Sequence, residues 1–174
     1  MANLEPLIQS IPVAPLKLAS LEGCRALADQ VNNYLVSFRH ESPTNVGQAD
    51  SLQGYCADSY LLECECPRYG SGEGKGVLKE SVRGCDLFIM VDVTNYSLTY
   101  RVNGYENHMS PDNHYQDLKR IISAADGKAR RINVIMPFLY EGRQHKRSKR
   151  ESLDCALMLQ ELVDMGVSNI LTFD

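Results

Sequence analysis

Three short segments of the chain carry side chains suited to phosphate or to a nucleotide base. Arg143 and Gln144 lie in a basic stretch, FLYEGRQHKRSKR, over 138–150. An arginine fork pairs with phosphate oxygens or stacks on a base, and a glutamine amide meets a base edge or a phosphate. A solvated basic loop has the same composition. The second segment is YGSGE over 69–73, within YGSGEGKG, which has four glycines in eight residues. Glycines let backbone approach a ligand closely, Tyr69 can stack on a purine, and Glu73 can accept from an exocyclic amine. A plain glycine-rich turn fits equally well, and the spacing is not that of a P-loop. The third is ESVRG over 80–84. Ser81 and Arg83, two apart in a turn, can hold one phosphate between them, or simply form an ordinary turn before a strand. The four histidines (40, 108, 114 and 145) are scattered, and no Ser/His/Asp or Cys/His constellation is visible.

The composition narrows the classes. With 174 residues, 44% hydrophobic and 23% charged, the chain can bury the core of one α/β domain. No apolar run approaches the roughly 20 residues of a membrane helix, and the N-terminus lacks the pattern of a signal peptide, so the expected location is the cytosol. The net charge is −4, yet residues 143–150 hold five of the 18 Lys and Arg. That unevenness argues for a local anion site and against general nucleic-acid binding. Six cysteines include a Cys64–Cys66 pair, but no second pair at zinc spacing; the reading is reduced thiols in or near the core.

The elements that must position these segments follow from periodicity. A helix is expected over 21–37 with Ser20 as N-cap, a loop over 38–58, and a strand over 60–66. A buried parallel strand is expected over 86–93, followed by a polar, irregular stretch to 109 with a turn at NGYEN (103–107). Ser110-Pro111-Asp112 opens a helix that stops at Gly127. Then come a strand over 131–136, the basic loop, a helix over 152–165 and a strand over 169–173. The alternation implies an α/β fold with a mostly parallel sheet covered by helices, with ligands outside the carboxyl ends of the strands.

The three segments, in this order, resemble the ribose-phosphate pyrophosphokinase (PRPP synthetase) family. That family carries Phe-Ser-(Asp or Asn)-x-Glu, Glu-Ser-(Val or Ile)-Arg-Gly, a helical Asp-Asn-Leu-Met-Glu-Leu-Leu, Pro-x-x-x-Tyr-x-Arg-Gln and a strand ending in Asp-Leu-His-Ala. The matching stretches here are YGSGE (69–73), ESVRG (80–84), DNHYQDL (112–118), PFLYEGRQ (137–144) and LTFD (171–174). The resemblance implies a three-layer α/β/α fold of the type I phosphoribosyltransferase kind. It implies transfer of pyrophosphate from ATP to the C1 hydroxyl of ribose 5-phosphate, with magnesium. By the same resemblance Arg143 and Gln144 bind ATP; Tyr69, Ser71, Gly72 and Glu73 hold its adenine across a subunit interface in a homo-oligomer; Ser81 and Arg83 form a regulatory phosphate site; and Asp174 lies near the magnesium.

The sequence departs from the family pattern in several places. Ser71 replaces Asp or Asn, and His145 replaces the Asp that usually follows Arg-Gln. The basic loop is one residue shorter, and 38–66 and 95–110 are longer. The family's histidine after the terminal Asp, its lysine loop and its ribose-phosphate loop are not in the sequence. Residues 1–174 therefore read as an N-terminal domain without its C-terminal partner, with no catalytic residue assigned and no turnover expected alone. Two other readings stay open: a non-catalytic regulatory subunit that binds partner synthetases, and a nucleotide-binding module complete in itself.

Overall fold

The computed structural model describes residues 14–41 and 54–173. Its centre is a five-stranded, all-parallel sheet. In chain order the elements are β1 (Leu16–Ser20), a 3-10 turn (Glu22–Cys24), α1 (Arg25–Glu41), β2 (Leu61–Leu62), β3 (Cys64–Glu65), β4 (Val77–Leu78), β5 (Asp86–Met90), β6 (Thr99–Val102), β7 (Tyr105–His108), α2 (Pro111–Ala125), β8 (Arg131–Ile135), α3 (Asp154–Asp164) and β9 (Val167–Leu171). The sheet order is β2-β1-β5-β8-β9; β3 with β4, and β6 with β7, form separate antiparallel pairs.

The alternation of side chains along each strand divides the core in two. Leu87, Ile89, Val91, Ile132 and Val134 face α2 and α3, meeting Leu118, Ile121, Ile122, Met158 and Leu162. Leu18 and Met90 face the other way, onto Cys24 and Ala28 at the start of α1. Two opposed faces, each covered by helix, give the three-layer α/β/α arrangement expected from the sequence. The strands expected over 86–93, 131–136 and 169–173 are β5, β8 and β9, adjacent and parallel in the sheet.

Several expectations are corrected. β1 was not foreseen, although it sits between β2 and β5 in the sheet. Ser20 does not cap α1. Its hydroxyl donates to the Leu21 carbonyl (2.9 Å), and the helix is entered through a 3-10 turn after Leu21. α1 runs to Glu41, three residues beyond the start of the expected loop; 42–53 lie outside the described residues. The single strand expected over 60–66 is split between two sheets, because β2 pairs with β1 while β3 turns onto β4. The polar stretch before 109 is a hairpin, closed at Asn103-Gly104 with both residues at positive φ (50° and 85°). Of the apolar residues that the sequence sets on the helix over 152–165 (Leu153, Ala156, Leu157, Leu159, Leu162 and Val163), only Leu162 is buried; Cys155 and Met158 join it against the core, and Ala156, Leu157, Leu159 and Val163 are exposed. β9 likewise leaves Leu171 and the following Phe173 exposed at the sheet edge.

At α2 the sequence reading holds. Ser110 Oγ accepts from the Asn113 amide (3.2 Å), Pro111 fills the first turn, and Asp126 ends the helix in the left-handed conformation (φ 50°) just before Gly127.

The amino edge of the sheet is tied by a polar ladder across three strands. Asp86 accepts from Arg131 Nε (2.8 Å) and Nη2 (2.5 Å) and from Asn133 Nδ2 (2.7 Å), and Asn133 Oδ1 accepts from Asn169 Nδ2 (2.7 Å). Removing the carboxylate strands the half-buried Arg131 guanidinium and leaves the buried Asn133 amide only its longer bond to Leu87 O (3.2 Å). Asp86→Ala is expected to lower the unfolding free energy by about 2 kcal/mol, read by urea denaturation. A change within experimental error would show that the ladder is replaceable by water.

Candidate functional site

The carboxyl ends of β1, β5 and β8 open on one cleft. It has a volume of about 330 Å³ and is lined by Gly23, Cys24, Leu27, Asp92, Thr94, Pro137 and Phe138. Asp92, just beyond β5, was not singled out from the sequence. Its Oδ1 accepts from the amide (2.9 Å) and hydroxyl (2.7 Å) of Thr94, which fixes the carboxylate at the strand end.

The loop after β8 leaves from the same edge. Its root is pinned: Tyr140 stacks on Tyr115 of α2 (centroids 4.5 Å apart, planes 9° apart), and its hydroxyl donates to Asp112 Oδ1 (2.6 Å). Burial and these carboxylate neighbours push both tyrosine hydroxyls well above their ordinary pKa, so they remain donors. Tyr115 in turn donates to Glu161 (2.7 Å), which Lys119 also reaches (2.8 Å). Past the anchor the chain makes tight turns. The Gly142 amide donates to Leu139 O and the Gln144 amide to Glu141 O (3.0 and 2.8 Å), with Glu141 at φ 55°. Arg143 and Gln144 are thereby held on an exposed turn, and the Arg143 guanidinium has no partner among the described residues. His145 bonds back to Gly142 O (3.0 Å). Asp174 lies outside the described residues; Phe173, just before it, donates its amide to Pro137 O (3.2 Å).

The glycine loop is set apart from this turn. The Tyr69 amide donates to Glu73 O (2.7 Å) and the Gly72 amide to Tyr69 O (2.9 Å), with Gly72 at φ 92°. The side chains of Tyr69, Ser71 and Glu73 are exposed, and Ser71 Oγ donates to Glu73 Oε2 (2.8 Å). Its footing is a buried charge cluster that the sequence reading missed. Asp117 of α2 accepts two bonds from Arg68 (2.8 and 2.7 Å) and one from Arg120 (2.6 Å). The signal was available in principle: an aspartate on the otherwise apolar face of an amphipathic helix calls for a cation.

ESVRG lies at the opposite edge. It precedes β5, so Ser81 and Arg83 stand at the amino end of the sheet, about one strand length (roughly 16 Å) from the carboxyl edge. Val82 is buried and anchors the turn, the Arg83 amide donates to Ser81 Oγ (3.3 Å), and the exposed Arg83 guanidinium has no partner among the described residues. The structure thus places the three segments at three separate stations.

Cys64 and Cys66 share one side of the chain, as alternation requires. Cys64 Sγ donates to Ser20 O (3.2 Å) and Cys66 Sγ approaches Asp117 O (3.8 Å). Both line a cavity of about 310 Å³ together with Arg68, Tyr100, His114 and Asp117. Among the described residues no group of three His, Cys, Asp or Glu side chains gathers in a metal-binding arrangement.

Comparison with known proteins agrees with the fold. A family model, the N-terminal domain of ribose phosphate pyrophosphokinase, matches residues 16–166. A ribose-phosphate pyrophosphokinase of Corynebacterium ammoniagenes is 28% identical over 116 residues, 66% of this chain and 32% of the relative. One of Staphylococcus aureus is 26% identical over 161 residues, 91% of this chain and 39% of the relative. The crystal structure of phosphoribosylpyrophosphate synthetase from Mycobacterium smegmatis superposes with a TM-score of 0.61 at 22% identity, over 90% of this chain and 41% of that one. The chain thus spans about a third to two fifths of the length of these relatives.

Burial pushes three thiols above the ordinary value of 9.0: Cys24 to about 12 with help from Asp92, Cys66 to about 12 with help from Asp117, and Cys64 to about 11 against the opposing pull of Arg25. A raised thiol pKa means the folded chain holds these protons more tightly than the unfolded one, so the associated stability is complete below pH 9.0 and is lost as pH climbs toward about 12. Urea midpoints are expected to fall over that interval. At pH 8 iodoacetamide should label these three cysteines only after unfolding; rapid native labelling of Cys64 or Cys66 would contradict the burial.

Proposed function

The chain belongs to the ribose-phosphate pyrophosphokinase family through its N-terminal domain, and from that premise we propose that it supplies the ATP-binding half of an enzyme that transfers pyrophosphate from ATP to ribose 5-phosphate. In this reading Arg143 and Gln144 grip the nucleotide. What carries it is the Arg143 turn: an exposed guanidinium, without a partner among the described residues, on a loop whose root is locked to α2 by the Tyr140 stack and hydrogen bond. Locking the root places the cation at the carboxyl edge, where parallel α/β sheets bind ligands, without using its charge.

The remaining roles follow the same logic. Tyr69 offers a ring to the adenine, and Gly72 keeps backbone near it. Glu73 accepts from the base, with Ser71 steering that carboxylate through its 2.8 Å bond. Where the family has an acid or amide at this position, Ser71 gives a shorter, neutral contact. The glycine loop and the Arg143 turn are tethered to α2 at Asp117 and Asp112, five residues apart and therefore about 140° apart around the helix. Presentation on different sides supports their serving different nucleotides, as in an oligomer whose sites are shared between copies. Ser81 and Arg83, at the amino edge, are proposed as a regulatory phosphate site.

Magnesium, when bound with ATP, neutralises charge developing on the phosphoryl oxygens. Such sites need only one or two carboxylates beside the substrate phosphates, and Asp174 is proposed as one of them, with the Asp92 carboxylate, fixed at the carboxyl end of β5, as a second oxygen donor. A cytosolic setting suits these substrates, and no helix among the described residues is long and apolar enough to cross a membrane.

The 174 residues alone are expected to make no PRPP from ATP, ribose 5-phosphate and magnesium; product above a no-protein control would refute the two-domain reading. In the protein as its gene encodes it, Arg143→Ala should lower kcat/KM for ATP by roughly 10- to 100-fold, the loss of one charged hydrogen-bonding group. The thermal melt should be unchanged, because the side chain is exposed. Unaltered kinetics would mark Arg143 as a solvated-loop residue, and absence of any synthesis by the wild type would favour a regulatory subunit.

A further inference from the structure

The hairpin β6–β7 has no part in the assignments above. It belongs to the segment 95–110 that exceeds the family's usual length, and it forms its own two-stranded sheet. Its roots are firm. His114, buried on α2, bonds through Nε2 to Asn95 O (2.6 Å), and Asn95 Nδ2 donates to Gly23 O (3.4 Å). The Met109 amide donates to Leu98 O (2.9 Å), and Tyr96 stacks on His108 (centroids 4.4 Å apart).

Its far end reaches the glycine loop. The Asn103 amide donates to Gly70 O (3.0 Å). Tyr100 and Val102, two apart and so on one face of β6, close over Gly72: a Cβ there would lie 3.0 Å from Val102 Cγ2 and 4.0 Å from Tyr100 Cε2. Tyr100 also receives the Arg68 guanidinium over its ring (5.3 Å), the same guanidinium whose two terminal nitrogens donate to Asp117. The loop is therefore gripped on two sides. Tyr69, Ser71 and Glu73 are exposed.

We propose that hairpin β6–β7 is a clamp that holds the glycine loop in its base-binding conformation, with Tyr100, Val102 and Asn103 as positioning residues that set affinity and selectivity for the nucleotide base. The proposal rests on the reading of residues 69–73 as the adenine contact. The physical reason is conformational entropy. A segment with glycines at 70, 72, 74 and 76 has many backbone states, and each must be frozen before Tyr69 and Glu73 can meet a base together. A hairpin fixed in advance moves that ordering from the binding step to folding. Hydrogen bonding to a backbone carbonyl and packing over Cα constrain the loop while using none of its recognising side chains.

The test is the double variant Tyr100→Ala/Val102→Ala in the protein as its gene encodes it, beside the control Tyr105→Ala, a substitution on the exposed face of the same hairpin. The double variant is expected to raise KM for ATP about tenfold with kcat within about twofold, and to narrow the preference for ATP over GTP, with the melting temperature unchanged. Hydrogen exchange of the Tyr69 and Gly72 amides should quicken by about tenfold or more, while the control changes neither. An active wild type with a variant of unaltered KM and selectivity overturns the clamp and leaves the enzyme reading standing. A loss of kcat and melting temperature together overturns it in favour of a merely structural hairpin. A wild type that makes no PRPP overturns the function reading and this proposal with it.

Discussion

Asp117 is a carboxylate almost wholly withdrawn from water, and much of the candidate site hangs from it. Its side chain is 5% exposed and answers to two guanidinium groups, Arg68 approaching with both nitrogens and Arg120 from the next turn of the same helix. A buried ion pair adds little net stability compared with an apolar contact of the same volume, yet breaking one strands a charge at a cost of about 3–5 kcal/mol. Its contribution is therefore to permit one arrangement and penalise the others. The chain entering the glycine loop has a single docking geometry, fixed by the fork of Arg68. The later glycines serve that docking: a Cβ at Gly74 would fall 2.4 Å from Arg68 Nη1, and one at Gly76 would fall 2.4 Å from the Arg120 carbonyl. Gly72, at φ 92°, answers to the turn instead. Four glycines in eight residues thus reflect more than one constraint.

α2 is the common support of two stations. Its first turn takes the Tyr140 hydroxyl on Asp112, its second offers the Tyr115 ring, and its middle holds Arg68 on Asp117. The apolar face of the same helix, Leu118, Ile121, Ile122 and Ala125, is packed against β5 and β8. Because protein interiors are close-packed, neither loop can move at its root without disturbing that core. The exposed residues beyond the roots, Arg143 on one side and Tyr69 and Glu73 on the other, are free to meet a ligand. Each side of the helix shows the same division between a fixed root and an open tip.

The sequence made the sheet legible where strands are largely apolar and bounded by turns. DLFIMVDV and RINVIM became β5 and β8, and Ser110-Pro111 opened α2 as its cap chemistry requires. β1 escaped because Leu16–Ser20 carries a lysine and a serine; its partners on both sides, β2 and β5, decide its conformation. The hairpin escaped because β6 and β7 are polar strands outside the sheet, whose periodicity records only packing on the glycine loop. In α3, leucine content overstated burial. Leu157, Leu159 and Val163 are as apolar as Leu162, and only the direction of each side chain relative to the sheet separates them. The site residues were legible singly, as phosphate-competent or base-competent types. Their anchoring was not, since Tyr140–Asp112 and Arg68–Asp117 join residues 28 and 49 positions apart.

The polarity of a parallel sheet finally decides how the stations can communicate. All five strands start at one edge, so Ser81 and Arg83, ahead of β5, and Arg143, behind β8, are held at opposite ends of the same hydrogen-bonded layer. A phosphate at the proposed Ser81 and Arg83 site would have no direct path to a nucleotide at the proposed carboxyl-edge site. The turn is bound to the core by Val82 and to the neighbouring layer by the Gly84 amide on Lys128 O (2.9 Å), and β5 itself is latched to β8 by Asp86 and Arg131. An element so fixed transmits force as a unit. On the proposed reading, binding at the amino edge would alter the carboxyl edge by shifting β5 with its partners, or by changing the contact between copies in the proposed oligomer, but not by bending one loop. Of the two, the proposed contact between copies would leave the sealed strand in place, because Arg83 and Glu80 are exposed at the surface while β5 is packed in the core.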